Sequence, residues 1–319
     1  MSTTTQETPL NLKALSKKTE TFTSGHRMCA GCGAPTIVRQ IMLAIDEPIA
    51  VSNATGCLEV STTIYPYTAW NVPWIHTAFE NAAANASGME AMYRSLKKQG
   101  KYDKNVKFLA FGGDGGTYDI GLQALSGAME RGNQLLYICY DNGAYMNTGI
   151  QRSGATPTFA DTTTYPVGSK SSGKHQRRKD LTRIIAAHGA YSAQASPSNW
   201  KDLMTKVRKA LATNGPAFLN VVAPCNRGWR TQLDDSIEMS RLAVDTCYWP
   251  LYEYEDHGKK LTINYDPKDK KKPIVDFLKP QGRFKHLFAP GNEQKLVDYQ
   301  KIVDEEWEFL QKLQAMSKS

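Results

Sequence analysis

The sequence predicts an α/β protein on one doubly wound, mostly parallel sheet, with an extension at its C-terminal end. Between residues 48 and 223, apolar runs of strand length alternate with stretches whose apolar residues recur at helical spacing. Residues 106–140 form a complete crossover unit: strand, glycine-rich loop, helix, strand. Loops rich in glycine, asparagine and cysteine fall where strands end, the edge at which open α/β sheets bind ligands.

Taken in order, residues 1–19 are polar and read as an arm that orders on assembly or frays. The stretch TSGHRMCAGCGAP comes next, with a CxxC pair (Cys29, Cys32) in the turn entering a helix. Pro35 suits a first helical turn, and Ile37, Val38, Ile41, Met42 and Ile45 continue the apolar face. Residues 48–54 are a strand ending at Thr55-Gly56-Cys57, residues 71–76 are extended, and residues 80–96 are a helix whose alanines and glycine allow close packing.

In the crossover unit, residues 106–111 are a strand and the loop GGDGG comes after it. A helix carries Ile120, Leu122, Leu125, Ala128 and Met129, stops at Arg131-Gly132-Asn133, and leads to a strand at 135–140. Residues 149–178 lack periodic apolar signal, and a loop of that length is expected to cover a cofactor or meet a partner subunit. A helix at 179–187, a strand at 191–196, a helix at 199–212 and a strand at 216–223 continue the alternation and deliver Pro224-Cys225. Beyond about residue 230 the texture turns lysine-, proline- and tyrosine-rich. The helix expected at 292–316 has Trp307, Leu310 and Leu313 on one side, and residues 231–319 are expected to lie against another subunit.

The chain has 319 residues, 41% hydrophobic, ample for one large domain with an extension, and a formal net charge of +8. No apolar run approaches transmembrane length and the N-terminus lacks a signal-peptide core, so a cytoplasmic protein with no membrane role is expected. Nothing resembling a recognition helix or an RNA-binding aromatic pattern accompanies the lysines. They read as solvated surface, and no nucleic acid is expected.

The loop GGDGG at a helix N-terminus favours an anion such as a phosphate, yet it contains Asp114. A carboxylate beside a diphosphate repels it unless a hard cation lies between them. The next strand ends in DNGAYMNTG, offering further oxygens at the same edge, with Asn142 lying 28 positions after Asp114. Magnesium held by few protein oxygens plus diphosphate oxygens fits that arrangement.

GDG followed, after a helix and a strand, by an asparagine-rich loop ending in NTG resembles the diphosphate-binding motif of thiamine diphosphate enzymes. With GHRMCAGCGAP, NATGCLEVSTTIYP, WIHTAFENAAA and NTGIQRSGATP, the likeness is to the β subunits of the pyruvate:ferredoxin (2-oxoacid:ferredoxin) oxidoreductase family over residues 20–230. The resemblance implies a thiamine diphosphate-binding domain over 20–230. Asp114, Asn142 and the Ala144 carbonyl would hold Mg²⁺, and Gly113, Gly115 and Gly116 would let the chain approach the diphosphate. Gly56, Cys57, Tyr145 and Thr148 would lie around the cofactor, and Asn147 would contact the substrate as the candidate catalytic residue. It implies oxidative decarboxylation of pyruvate with CoA as co-substrate, or the reverse, with electrons leaving to ferredoxin.

Of six cysteines, Cys139 in its apolar strand and Cys247 in the tail read as structural. Cys29, Cys32, Cys57 and Cys225 stand at loop positions and supply four thiolates, enough for a [4Fe–4S] cluster or a structural zinc, between which spacing does not decide. Adjacency to the expected thiamine site favours a cluster, since zinc there would be only a staple, and the resemblance implies a proximal [4Fe–4S] cluster on these four residues. It also implies partners: an α subunit supplying the pyrimidine-binding domain and activating glutamate, a further subunit or domain with ferredoxin-like clusters, and ferredoxin, whose acidity would suit the basic surface. The same machinery acting on oxalate, 2-oxoisovalerate or 2-oxoglutarate, a non-redox thiamine decarboxylase, and a zinc-stapled nucleic-acid scaffold are the competing readings. His26, His76, His175 and His188 read as structural or solvent-facing, Trp70 and Trp74 as core or interface, and Tyr118 and Tyr145 as neighbours of the cofactor.

Overall fold

A computed structural model describes residues 7–318. Eight strands form the main sheet: β1 Ile49–Ala54, β2 Trp74–Thr77, β3 Lys107–Gly113, β4 Leu135–Asp141, β5 Tyr191–Ala195, β6 Ala217–Val222, β7 Tyr252–Glu255 and β8 Lys260–Ile263. Their spatial order is β8-β7-β5-β6-β4-β3-β1-β2. The six from β1 to β6 are mutually parallel, and β7 and β8 add an antiparallel edge. After a single helical turn at Leu12–Leu15, the helices are α1 Gly33–Ala44, α2 Cys57–Thr62, α3 Ala82–Lys98, α4 Leu122–Glu130, α5 Leu181–Ala186, α6 Trp200–Ala212, α7 Asn226–Trp229, α8 Ser236–Asp245, α9 Ile274–Leu278 and α10 Glu293–Met316.

Alternation along each strand assigns the layers. Val51, Leu109, Phe111, Leu136, Ile138 and Leu219 face α1 and α6 on one side. Phe108, Ala110, Leu135, Tyr137, Cys139 and Phe218 face α3, α4 and α5 on the other. Strands buried on both faces read as continuous apolar runs, as 106–111 and 135–140 do. The chain leaves β1 for β2 and then returns past β1 to β3, so the order reverses between β1 and β3. That reversal opens a crevice at their carboxyl ends, where Thr55-Gly56-Cys57 and Gly113-Asp114 emerge.

Both ends of the described chain pack against its own body. Residues 1–6 of the N-terminal arm lie outside the described residues, and the remainder of the arm is tied to the body of its own chain. The Thr8 amide and hydroxyl donate to Asp46, Lys18 Nζ donates to Asp46 and to the carbonyls of Leu43 and Ile45, and Leu15 is buried. Beyond residue 230 there is no break in packing. Strands β7 and β8 extend the sheet, and Trp229, Trp249, Tyr254, Phe277, Phe284 and Tyr299 join a third core with α8, α9 and α10. These aromatics are too widely spaced to show a period, and only the fold brings them together. The outer edge of β8 is capped by α10: the Leu261 amide donates to Ser317 Oγ (3.2 Å) and the Ile263 amide to Gln314 Oε1 (2.6 Å).

Candidate thiamine and thiol site

The crevice becomes a narrow cleft lined by residues 55–57, 79, 113, 115–116, 140, 142 and 144–148. Among the expected cofactor residues, Gly56, Cys57, Gly113, Gly115, Gly116, Asn142, Ala144, Tyr145, Asn147 and Thr148 line it, while Asp114 lies just beneath, fully buried. Asp114 Oδ1 accepts from the Asn142 amide (3.3 Å) and Oδ2 from Ser153 Oγ (2.5 Å). Burial and, next, the neighbouring Asp141 carboxylate push the Asp114 carboxyl well above the usual range. Burial also raises Asp141, against the pull of Arg178, which pairs with it at 2.7 Å.

The Asn142 side-chain amide donates to Asp114 Oδ1 (2.8 Å) and to the Ala144 carbonyl oxygen (2.9 Å), closing the three groups on one another. Turned over beside a cation, the same amide would present its oxygen together with those two. A magnesium ion about 2.1 Å from each ligand holds adjacent octahedral ligands about 3 Å apart, so this donor set fits Mg²⁺ and leaves positions for diphosphate oxygens and water. The set is braced from behind: Trp229 Nε1 donates to the Asn142 carbonyl (2.7 Å) and Thr156 Oγ1 to the Gly143 carbonyl (2.8 Å).

The glycines of the loop seat aromatic side chains. A Cβ on Gly115 would stand 2.3 Å from the Tyr145 ring, one on Gly116 2.9 Å from the Phe79 carbonyl, and one on Gly113 3.3 Å from the Tyr140 ring. The chain then enters α4 through a wide turn over Gly115–Ile120. Tyr145 lines the cleft, whereas Tyr118 is fully buried and bonded through its hydroxyl to Arg178 and Asn220. Asn147 and Thr148 are exposed at the rim, Thr148 Oγ1 engaging Gln151.

Cys57 lines this cleft, and Cys29, Cys32 and Cys225 lie near enough to one another and to Cys57 for their charges to interact. The Gly33 amide donates to the Pro224 carbonyl (2.9 Å), fastening the CxxC turn to the Cys225 loop, and Gly228 N donates to Cys225 Sγ (3.4 Å). Burial, followed by the proximity of the other thiols, pushes Cys32 up to about 12 and Cys57 up to about 11, and burial raises Cys225. Buried thiols that would repel one another as thiolates are held ionised by a bound cation or cationic cluster. No three His, Cys, Asp or Glu side chains among the described residues are grouped closely enough to hold a metal ion. Thiolates on one zinc stand about 3.8 Å apart, from the ordinary Zn–S length, whereas a cluster several atoms across spreads its ligands more widely. Four thiols are a donor set that either group takes. Cys139 and Cys247 are buried away from it.

Several supporting residues carry no sequence signal. Ser153 holds Asp114, and Lys174, 1% exposed, donates to the Ser153, Gly154 and Thr156 carbonyls. His76, read as structural, bonds Thr55 at the cleft rim (2.7 Å). Ser153 and Lys174 both lie in the segment 149–178, which thus reaches the Asp114 corner.

Residues 54–221 match the family of thiamine pyrophosphate enzymes through its C-terminal TPP binding domain. The pyruvate synthase subunit PorB of Thermotoga maritima is 52% identical, covering 97% of this chain and 98% of that protein. PorB of Methanocaldococcus jannaschii is 52% identical over 91% of this chain and 96% of its own. The ketoisovalerate oxidoreductase subunit VorB of Pyrococcus abyssi is 43% identical over 92% and 93%. A solved 2-oxoglutarate:ferredoxin oxidoreductase from Magnetococcus marinus superposes with a TM-score of 0.51 over 67% of this chain and 76% of that one, at 24% identity, which speaks for the fold. With its sheet of the thiamine diphosphate-binding type and relatives matched nearly end to end, this chain belongs to the PorB family of pyruvate synthase subunits, among the thiamine pyrophosphate enzymes.

Proposed function

We propose that the chain is the thiamine diphosphate-binding β subunit of a 2-oxoacid:ferredoxin oxidoreductase that oxidatively decarboxylates pyruvate with CoA to acetyl-CoA and CO₂, or runs the reverse. The observation that carries this reading is one cleft with the Asp114–Asn142–Ala144 oxygen set at its floor and Cys57, one of four neighbouring thiols, in its wall. When bound, thiamine diphosphate would supply carbanion chemistry at the keto carbon of a 2-oxoacid, and an adjacent [4Fe–4S] cluster would supply one-electron acceptance.

The chain's own residues divide the remaining work. Asp114, Asn142 and Ala144 would hold Mg²⁺, with Ser153, Trp229 and Thr156 fixing their orientation. Cys29, Cys32, Cys57 and Cys225 would ligate the cluster. Asn147, exposed on the rim with Thr148 and reaching Cys57 through its side chain, would hydrogen-bond substrate. No glutamate lines the cleft among the described residues, so in this reading an α subunit supplies the activating acid and the pyrimidine-binding domain. A further subunit or domain with ferredoxin-like clusters passes electrons to ferredoxin. Six free thiols suit a reducing, cytoplasmic setting.

The ketoisovalerate relative makes 2-oxoisovalerate the second substrate to weigh. Anaerobic co-purification with partner subunits, iron, sulfide and thiamine analysis, and methyl viologen reduction with pyruvate, 2-oxoisovalerate, 2-oxoglutarate and oxalate test the whole reading. Iron, sulfide and thiamine with fastest turnover of pyruvate are expected. Protein free of iron and sulfide would overturn the redox assignment, and no turnover of pyruvate would overturn the substrate.

A further inference from the structure

Tyr140 stands between the two halves of the site. On β4 it pairs in register with Gly113, whose Cβ would lie 3.3–3.4 Å from its ring. A Cβ on Gly56 would lie 2.7 Å from its hydroxyl. One aromatic ring thus spans from the diphosphate loop to the residue preceding Cys57, and both glycines keep space for it. Tyr140 is 2% exposed and lines the cleft together with Cys57.

Its hydroxyl oxygen faces the Leu58 amide without a hydrogen bond of ordinary geometry, and its proton has no acceptor. A buried donor left unmade costs about 1–3 kcal/mol, and phenylalanine would fill the same space without that cost. Of the ionisable groups around the hydroxyl, the Cys57 thiol bears on it most strongly. Tyr137, three residues earlier, points to the opposite face of the sheet and has its hydroxyl 3.1 Å from Thr117 Oγ1, so an unpartnered hydroxyl is not general to this strand.

We propose that Tyr140 is a positioning and tuning residue of the redox centre, donating its phenolic hydrogen bond to a sulfur of the four-thiolate group at Cys57 and thereby raising that group's reduction potential. The inference rests on the reading that Cys29, Cys32, Cys57 and Cys225 hold an iron–sulfur cluster. Reduction adds negative charge to the sulfurs, so a donor aimed at one of them favours the reduced form. The ring contacts explain why the residue is aromatic, and the sulfur bond explains why it is tyrosine.

The test is a redox titration, followed by electron paramagnetic resonance, of the anaerobically assembled complex carrying Tyr140→Phe, with Tyr137→Phe as control. Losing one such bond is expected to lower the ratio of reduced to oxidised cluster about tenfold at a given potential, equivalent to about 59 mV for a one-electron couple. Iron and thiamine contents should stay at wild-type levels and Tyr137→Phe should leave the potential unchanged. In the wild-type complex, a proton hyperfine coupling to the cluster should vanish after exchange into D₂O and be missing in Tyr140→Phe. An unshifted potential with full iron content overturns the inference, as does an equal shift in Tyr137→Phe or loss of iron from Tyr140→Phe. A wild-type complex without iron and sulfide instead overturns the cluster assignment itself.

Discussion

Lys174 offers the sharpest test of how the 153–156 turn is held. Its ammonium is buried and donates to three carbonyls, the closest being Thr156 at 2.5 Å, without an ion-pair partner among the described residues. Burial, then repulsion from Arg152 and Arg178, lowers its pKa from 10.5 to about 8. Between those two values the unfolded chain keeps a proton that the native chain has released, so native stability rises with pH through this window. Worked from the two pKa values, the rise between pH 7 and pH 9.5 is about 2 kcal/mol, and about 1–2 kcal/mol once screening by nearby exposed groups is allowed for. Lys174→Met fills similar volume without the titration, so wild type should gain that amount over the variant between the two pH values. Urea midpoints of both proteins at pH 7 and 9.5 measure it. A gap between the proteins that is constant or shrinks with rising pH would refute the reasoning. The variant should also bind magnesium and thiamine diphosphate more weakly, because the turn it loosens presents Ser153 to Asp114.

Asp114→Asn removes the charged oxygen of the proposed cation site and should weaken Mg²⁺-dependent thiamine diphosphate binding by about 100-fold, read by calorimetry; binding within a few-fold of wild type would move the site elsewhere. Trp229→Phe leaves the buried Asn142 carbonyl without its 2.7 Å donor and should cost about 1–3 kcal/mol in chemical denaturation, with a parallel drop in cofactor affinity. In Gly31→Ala the new Cβ would sit 1.9 Å from the Leu233 carbonyl oxygen on a backbone with φ of +76°, so a loss of at least about 1–3 kcal/mol and reduced iron per chain are expected; full iron content would show that the CxxC turn tolerates displacement. If Cys57 ligates the proposed cluster, Cys57→Ser should abolish its paramagnetic signal while the fold, followed by circular dichroism, persists.

Much of the architecture was legible because parallel strands buried on both faces announce themselves as unbroken apolar runs, as at 106–111 and 135–140, and because glycine and asparagine mark where they end. The oxygen set was legible for a related reason: Asp114, Asn142 and Ala144 lie directly after two adjacent strands, so their convergence follows from strand pairing alone. The hairpin of β7 and β8 was not. Its strands are four residues each, carry glutamates and tyrosines, and owe their place to helices that arrive later in the chain. Ser153 and Lys174 were equally hidden, since a serine and a lysine in a polar loop acquire meaning only when the loop folds back on Asp114. The docking of Thr8 depends on Asp46, nearly forty residues away, which no local pattern records.

The sheet ends differently on its two sides. At β8 the outward amides of Leu261 and Ile263 are taken up by Ser317 and Gln314, so the last turn of α10 works as a plug against strand addition. At β2, among the described residues, the sheet pairs only inward, with β1. Proteolytic trimming of a handful of C-terminal residues would thus unmask a second growing edge and convert a molecule that can be extended from one direction into one that can stack from both.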